Sequence, residues 1–92
     1  MNFELRITES ARLDISDSIL YYSEISNSLL LDYTIQLNEL LLKIQSNPEI
    51  YQKKYKEIRI AFFRKFPFGV HFLLEGNCIN VFRVLHVKRL YS

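Results

Sequence analysis

Apolar residues in this chain change their spacing once, and that change limits what it can fold into. Between Ala11 and Ile44 they recur every three to four positions, the repeat of an amphipathic helix. From Ile58 onward they recur at every second position, the repeat of a strand with one covered face. Asn47-Pro48 separates the two regimes, because proline disfavours the helical conformation of the residue before it. A further alternating stretch, Asn2–Thr8, precedes the helical region, with Phe3, Leu5 and Ile7 on one side and Glu4 and Arg6 on the other. The spacing therefore predicts one strand, two helices and then three strands.

Within the helical region, Thr8 or Ser10 can accept from a free amide and start the first helix. Its apolar stripe is Ala11, Ile15, Ile19, Tyr22 and Ile25, and Ser26-Asn27-Ser28 interrupts it as a tight turn. Leu30, Tyr33, Leu37, Leu41 and Ile44 mark the second helix, which should return antiparallel to the first. The predicted strands are Lys56–Phe63, Phe66–Leu74 and Cys78–Val87, the last two joined at Glu75-Gly76-Asn77, where a hairpin needs positive φ. The last strand is apolar on both sides and should be either central in the sheet or covered. The expected fold class is α+β, an antiparallel sheet with a helical hairpin packed on one face. With 92 residues, this is a single domain, 1–92.

Composition narrows the setting. Half the residues are hydrophobic (49%) but no run approaches the ~20 apolar residues of a membrane span, and the N-terminus lacks the pattern of a secretory signal. The lone Cys78 cannot form an internal disulfide, so a reducing, cytoplasmic location is expected. The charge is divided unevenly. Residues 1–50 carry three cations and eight anions, whereas residues 51–92 carry nine cations and two anions. A basic half of that steepness attracts polyanions or acidic peptides.

Chemistry is sparse. Two glycines cannot build a phosphate loop. His71, Cys78 and His86 offer three metal donors with no short pair, below the usual four, so no metal and no cofactor is expected. Cys78 reads as a small buried side chain, His71 as a partly exposed sheet position and His86 as a solvent-facing strand end. The better candidates are arginines. Arg59 and Arg83 stand mid-strand on the first and third strands of the meander, where they could flank the middle strand and form a basic patch joined by Arg89. Tyr55, Phe63 and Tyr91 add aromatic surface.

Several stretches together resemble the RelE/ParE superfamily of toxins from bacterial type II toxin–antitoxin systems, also known as plasmid stabilisation proteins, and the ParE-like branch most. Asp14-Ile15 and Tyr21-Tyr22 are similar to the family's first helix, and Asn47-Pro48 stands where its second helix commonly ends. The most specific segment is Ile58-Arg59 followed by Arg64-Lys65-Phe66-Pro67-Phe68-Gly69-Val70, which resembles the family's R…(K/R)FPY-x-I pattern with Phe68 for the usual tyrosine. Val81-Phe82-Arg83-Val84-Leu85-His86-Val87-Lys88-Arg89 resembles its V-x-x-V-x-H-x-x-R ending, with Val87 and Leu90 where a small and an acidic residue are usual.

The resemblance implies a bacterial toxin that inhibits growth when released from a cognate antitoxin. It also implies a contact surface among Arg59, Arg64, Lys65, Arg83, Lys88 and Arg89. ParE-like members inhibit DNA gyrase without hydrolytic chemistry, and no sequence-specific DNA binding by this chain alone is expected. RelE-like members cut messenger RNA on the ribosome. On that alternative Glu57 or His86 is the base, Arg59 and Arg83 steady the phosphate, and Arg89 or Tyr91 completes the site. A third alternative is a degenerate toxin, with few residues after Arg89, that acts only as an antitoxin-binding module.

Overall fold

A computed structural model describes residues 3–88. Strand β1 (Glu4–Ile7) leads into helix α1 (Glu9–Ile25), helix α2 (Asn27–Ser46) and a single 3-10 turn at Pro48–Ile50. Four strands follow: β2 (Lys53–Tyr55), β3 (Ile58–Phe62), β4 (Phe68–Glu75) and β5 (Cys78–His86). Thr8 caps α1 by accepting from the Ala11 amide at 3.2 Å. Ser26 alone separates the helices and caps α2 by accepting from the Leu29 amide at 3.0 Å, so the turn is shorter than expected.

The sheet has five strands in the order β1-β5-β4-β3-β2. It is mixed rather than antiparallel: β1 lies parallel to β5, in the register Leu5 to Ile79 and Ile7 to Val81. Parallel neighbours need a long crossover, and here both helices and the meander lie between the pair. Sequence periodicity specifies each strand's faces but not its neighbour, so this long-range pairing was not visible. The extra strand β2 is three residues long and exposed throughout, too short to show an alternation. A turn at Lys56-Glu57 joins it to β3, with Lys56 at φ 50°. The expected strand from Lys56 therefore starts at Ile58, and Phe66 and Pro67 precede β4 rather than belonging to it.

The helices cover one face of the sheet. Ala61, Val70, Phe72, Ile79, Val81 and Val84 meet Ala11, Tyr22, Tyr33, Leu37 and Ile44 in a continuous core. Tyr33 is its centre, stacked on Phe63 with ring centroids 5.2 Å apart and edge-on to Phe66 at 5.5 Å. Burial pushes the Tyr33 phenol up to about 12. Two members of the expected α1 stripe lie outside this core, since Ile19 is 36% and Ile25 53% exposed. β5 is interior, as its two apolar sides allow, with β1 and β4 as neighbours.

Candidate functional site

The main polar cluster forms where β1 runs out. Its last residue, Ile7, pairs with Val81, and the Thr8 amide and hydroxyl then donate to Val81 and Phe82 carbonyls at 2.9 and 3.2 Å. Beyond that point β5 has no strand on this edge, and the Val84 amide would be left without an acceptor. Asp14 from α1 supplies one, its Oδ2 accepting at 2.9 Å. The same carboxylate takes both arms of the Arg83 guanidinium, Nε at 2.8 Å and Nη2 at 3.1 Å. The hydrogen bond to Asp14 raises the Arg83 pKa further above its ordinary value. Arg83 is thus an anchored strut between sheet and helix, with its charge already answered.

A second cluster occupies the uncovered face. The β4–β5 register slips between His71 and Phe72: His71 pairs with Arg83 and Phe72 with Val81, so Phe82 is an extra residue against His71. The His71 Nδ1 lies 2.9 Å from the Tyr55 hydroxyl, and the Phe82 ring stands edge-on at 6.3 Å. His71 is 1% exposed, which corrects the expectation of an open sheet position. Its pKa is pushed down by burial first and by Arg83 second, which keeps the ring neutral at pH 7. Its Nε2 is buried with no partner among the described residues.

Between α1 and the β4–β5 end runs a groove of about 630 Å³. Tyr21, Tyr22 and Phe68, together with Val84, give it a mostly aromatic, apolar lining, with Asp17 on the helix wall and His86 and Lys88 on the opposite wall. His86 lies with its ring 5.3 Å from Phe68 and its Nδ1 accepting from the Lys88 amide at 3.2 Å, so it is half-buried in a wall rather than free in solvent. The groove can seat an apolar or aromatic side chain between opposite charges.

The other expected site residues are dispersed. Arg59 alternates with Ala61 and pairs with Phe72, which places it on the helix side. There it donates to the Tyr51 carbonyl at 2.7 Å and holds the 3-10 turn against β3. Arg59 and Arg83 therefore do not form a shared patch beside the middle strand. Glu57 is on the exposed β2–β3 turn, 2.8 Å from Lys53, and that hydrogen bond lowers its pKa. Lys65 pairs with Asp32 of α2 at 2.7 Å, and Arg64 borders a small cleft with Lys43 and Phe62. Glu57 and His86 are near opposite ends of the sheet, roughly 20 Å apart at ~3.3 Å per residue. The residues named for RNA cleavage are not gathered into one site, and Arg89 and Tyr91 lie outside the described residues. No three of His, Cys, Asp and Glu come together as a metal cage among the described residues. Cys78 is half-buried, more open than expected.

Sequence reasoning named Asp14 only in the helix resemblance and Tyr55 only as aromatic surface. It missed the bonds of Asp14 to Arg83 and Val84 and of Tyr55 to His71. Asp14 carried a usable signal: it lies three residues after Ala11 and one before Ile15, where a carboxylate approaching the buried side of α1 needs a partner. Tyr55 carried none, since its contact with His71 depends on the bulged register of β2.

No family model matches the sequence, and no curated protein matches it. Among solved structures, a chain described as the chromosomal ParDE TA system from P. aeruginosa superposes with a TM-score of 0.79 at 18% identity. The likeness covers 91% of this chain and 95% of that one. The two chains share a fold. That agrees with the architecture implied by the Arg64–Val70 and Val81–Arg89 segments. No helix among the described residues is long and apolar enough to cross a membrane.

Proposed function

We propose that this chain is the toxin of a type II toxin–antitoxin system, held inactive by a cognate antitoxin in the bacterial cytoplasm and arresting growth by inhibiting DNA gyrase. The observation that carries the reading is the shared fold, matched nearly end to end with a chain of a ParDE system. A gyrase poison acts by contact, and the side chains here suit contact better than hydrolysis. Arg83 and Arg59 are engaged within the fold, and Glu57 is a solvated carboxylate on a turn. The aromatic groove with its acidic and basic walls suits an antitoxin side chain.

The test is induction of the chain in bacteria without its antitoxin, with messenger RNA 5′ ends mapped within minutes and a purified gyrase supercoiling assay alongside. The expected result is growth arrest, intact messages and loss of supercoiling. New cuts positioned by ribosomes would replace this reading with the ribosome-dependent nuclease. Soluble protein with no arrest would leave the antitoxin-binding module.

A further inference from the structure

The sheet face that carries no helix is apolar over much of its area. Ile58, Ile60, Phe62, Leu73, Phe82 and Leu85 share it through the register of β3, β4 and β5, and none of them belongs to the core beneath the helices. Phe62 is 45% exposed, and Ile58, Leu73, Phe82 and Leu85 are half-buried. A strand with one wet face normally sends its polar residues there. β3 does the reverse: Ile58, Ile60 and Phe62 face outward, and Arg59 is on the helix side with Ala61. The centre of the face is already dry, because His71 is withdrawn from water by its neighbours. Covering it would strip hydration from no open polar group at that point.

Charge identifies the occupant. The charged residues that β1, β3, β4 and β5 place on this face are Glu4, Arg6, Glu75 and Arg83, which balance in sign. Each is already answered: Arg6 donates to Glu4 at 3.0 Å, Asn80 donates to Glu75 at 2.9 Å, and Arg83 is tied to Asp14. A nucleic acid strand or an anionic lipid surface would meet no unpaired cation on these four strands. A strongly charged peptide of either sign would gain as little. A second copy brings a face that is equally neutral and equally apolar, and meets it without repulsion. We propose that two copies of this chain pack open face to open face, like the sheets of a sandwich, about 10 Å apart. Four strand spacings of ~4.8 Å and the ~27 Å length of β4 give roughly 500 Å² a side. The pair's total of ~1,000 Å² is at the low end for a specific interface, so the dimer is weak, with a Kd of about 10–100 µM. The inference does not rest on the toxin reading, because its test reads assembly and not growth.

The test is sedimentation equilibrium of the purified full chain at physiological salt, over loading concentrations from about 1 to about 300 µM. The expected result is a monomer–dimer equilibrium that rising salt does not loosen, since no charge pair crosses the interface. Phe62→Lys sets two like charges into the dry interface and should weaken the dimer by about tenfold or more. Leu73→Gln, on the next strand, should weaken it in the same direction, and it decides the matter if the first variant fails to fold by circular dichroism. Leu42→Ser, on the helix surface and 66% exposed, should leave assembly unchanged. A monomer at every concentration would overturn the proposal. So would a dimer that Leu42→Ser dissolves and the folded open-face variants do not, or one that high salt disperses. A monomer that binds a fluorescein-labelled single-stranded RNA, and loses it on Phe62→Ser, would give the face to nucleic acid instead.

Discussion

The central strand β4 is buried on both faces, by different means. Val70 and Phe72 are fully buried because two helices lie over them; His71, pointing the other way, is 1% exposed with no helix above it. Its cover comes from within the sheet: Tyr55 from the edge strand, Phe82 from the bulge and the cross-strand Ile60, itself 6% exposed. The covered face is an apolar core whose stability comes from area removed from water. The open face is a thin patch of side chains, polar at its centre, whose parts depend on one register. Disrupting the first should unfold the chain, whereas disrupting the second should leave a folded chain with an altered surface.

The largest effect expected from this contrast is that of Phe72→Ala. It removes a fully buried ring from the helix-facing core and should cost ~3–5 kcal/mol in urea denaturation. Phe62→Ala, on the open side and 45% exposed, should cost ~1 kcal/mol or less. Similar losses at the two positions would mean that the faces do not differ as described. Gly69 explains part of the asymmetry. A Cβ there would come within 2.8 Å of the Ile60 side chain and 3.3 Å of the Phe62 ring, so glycine lets the open-face residues lie flat on β4.

Next comes the strut between the two layers. Asp14→Ala leaves the Arg83 guanidinium and the Val84 amide without their acceptor and should cost ~2 kcal/mol. Arg83→Ala should cost less, because Asp14 keeps its bond to Val84 and Arg83 is 40% exposed. Equal costs would assign the whole effect to the ion pair and none to the strand edge.

These two regions also differ in how far they could be read beforehand. The helix-facing core was legible. Phe66, Phe68, Val70, Phe72 and Leu74 alternate as a covered strand should, and all of them lie in or against the core. Local periodicity reports such burial because the covering layer imposes it on every second residue. The open-face cluster was not legible, since His71 is buried by Tyr55 from another strand and by a residue inserted at a bulge. Arg59 was misplaced for a related reason. It shares its face with Ala61, and an arginine alternating with an alanine looks solvent-facing until the neighbouring strand puts Phe72 beside it. The parallel partner of β1 likewise depends on contacts seventy-four residues apart, from Leu5 to Ile79.

The buried imidazole sets a smaller, pH-dependent effect. Burial and Arg83 depress the His71 pKa from its ordinary 6.5, so the unfolded chain takes up a proton before the folded one does. The stability tied to a neutral His71 is fully present above about pH 6.5 and is lost as pH falls from there toward the depressed folded value. The groups facing it are Tyr55, Arg83 and, through Arg83, Asp14. Denaturation midpoints measured from pH 7.5 to 5 should decline, and His71→Leu should flatten that decline. An unchanged slope in the variant would place the titration elsewhere, and the open face would then be no more pH-sensitive than the core.

The smallest effect expected is at Glu57, and it tests whether the open side of the molecule is a contact surface or a catalytic one. Its carboxylate is exposed and paired with Lys53, four residues before it, an arrangement that solvent screens and that adds little to stability. Glu57→Gln should therefore leave the urea midpoint within error. As a general base the carboxylate would have to touch a ribose hydroxyl, yet the other residue named for that role, His86, is at the far end of β5 against Phe68. Growth arrest on induction should be as complete with the variant as with the parent chain. Loss of arrest by orders of magnitude from a protein that still folds would be the signature of a missing base, and would place an active site at the β2–β3 turn.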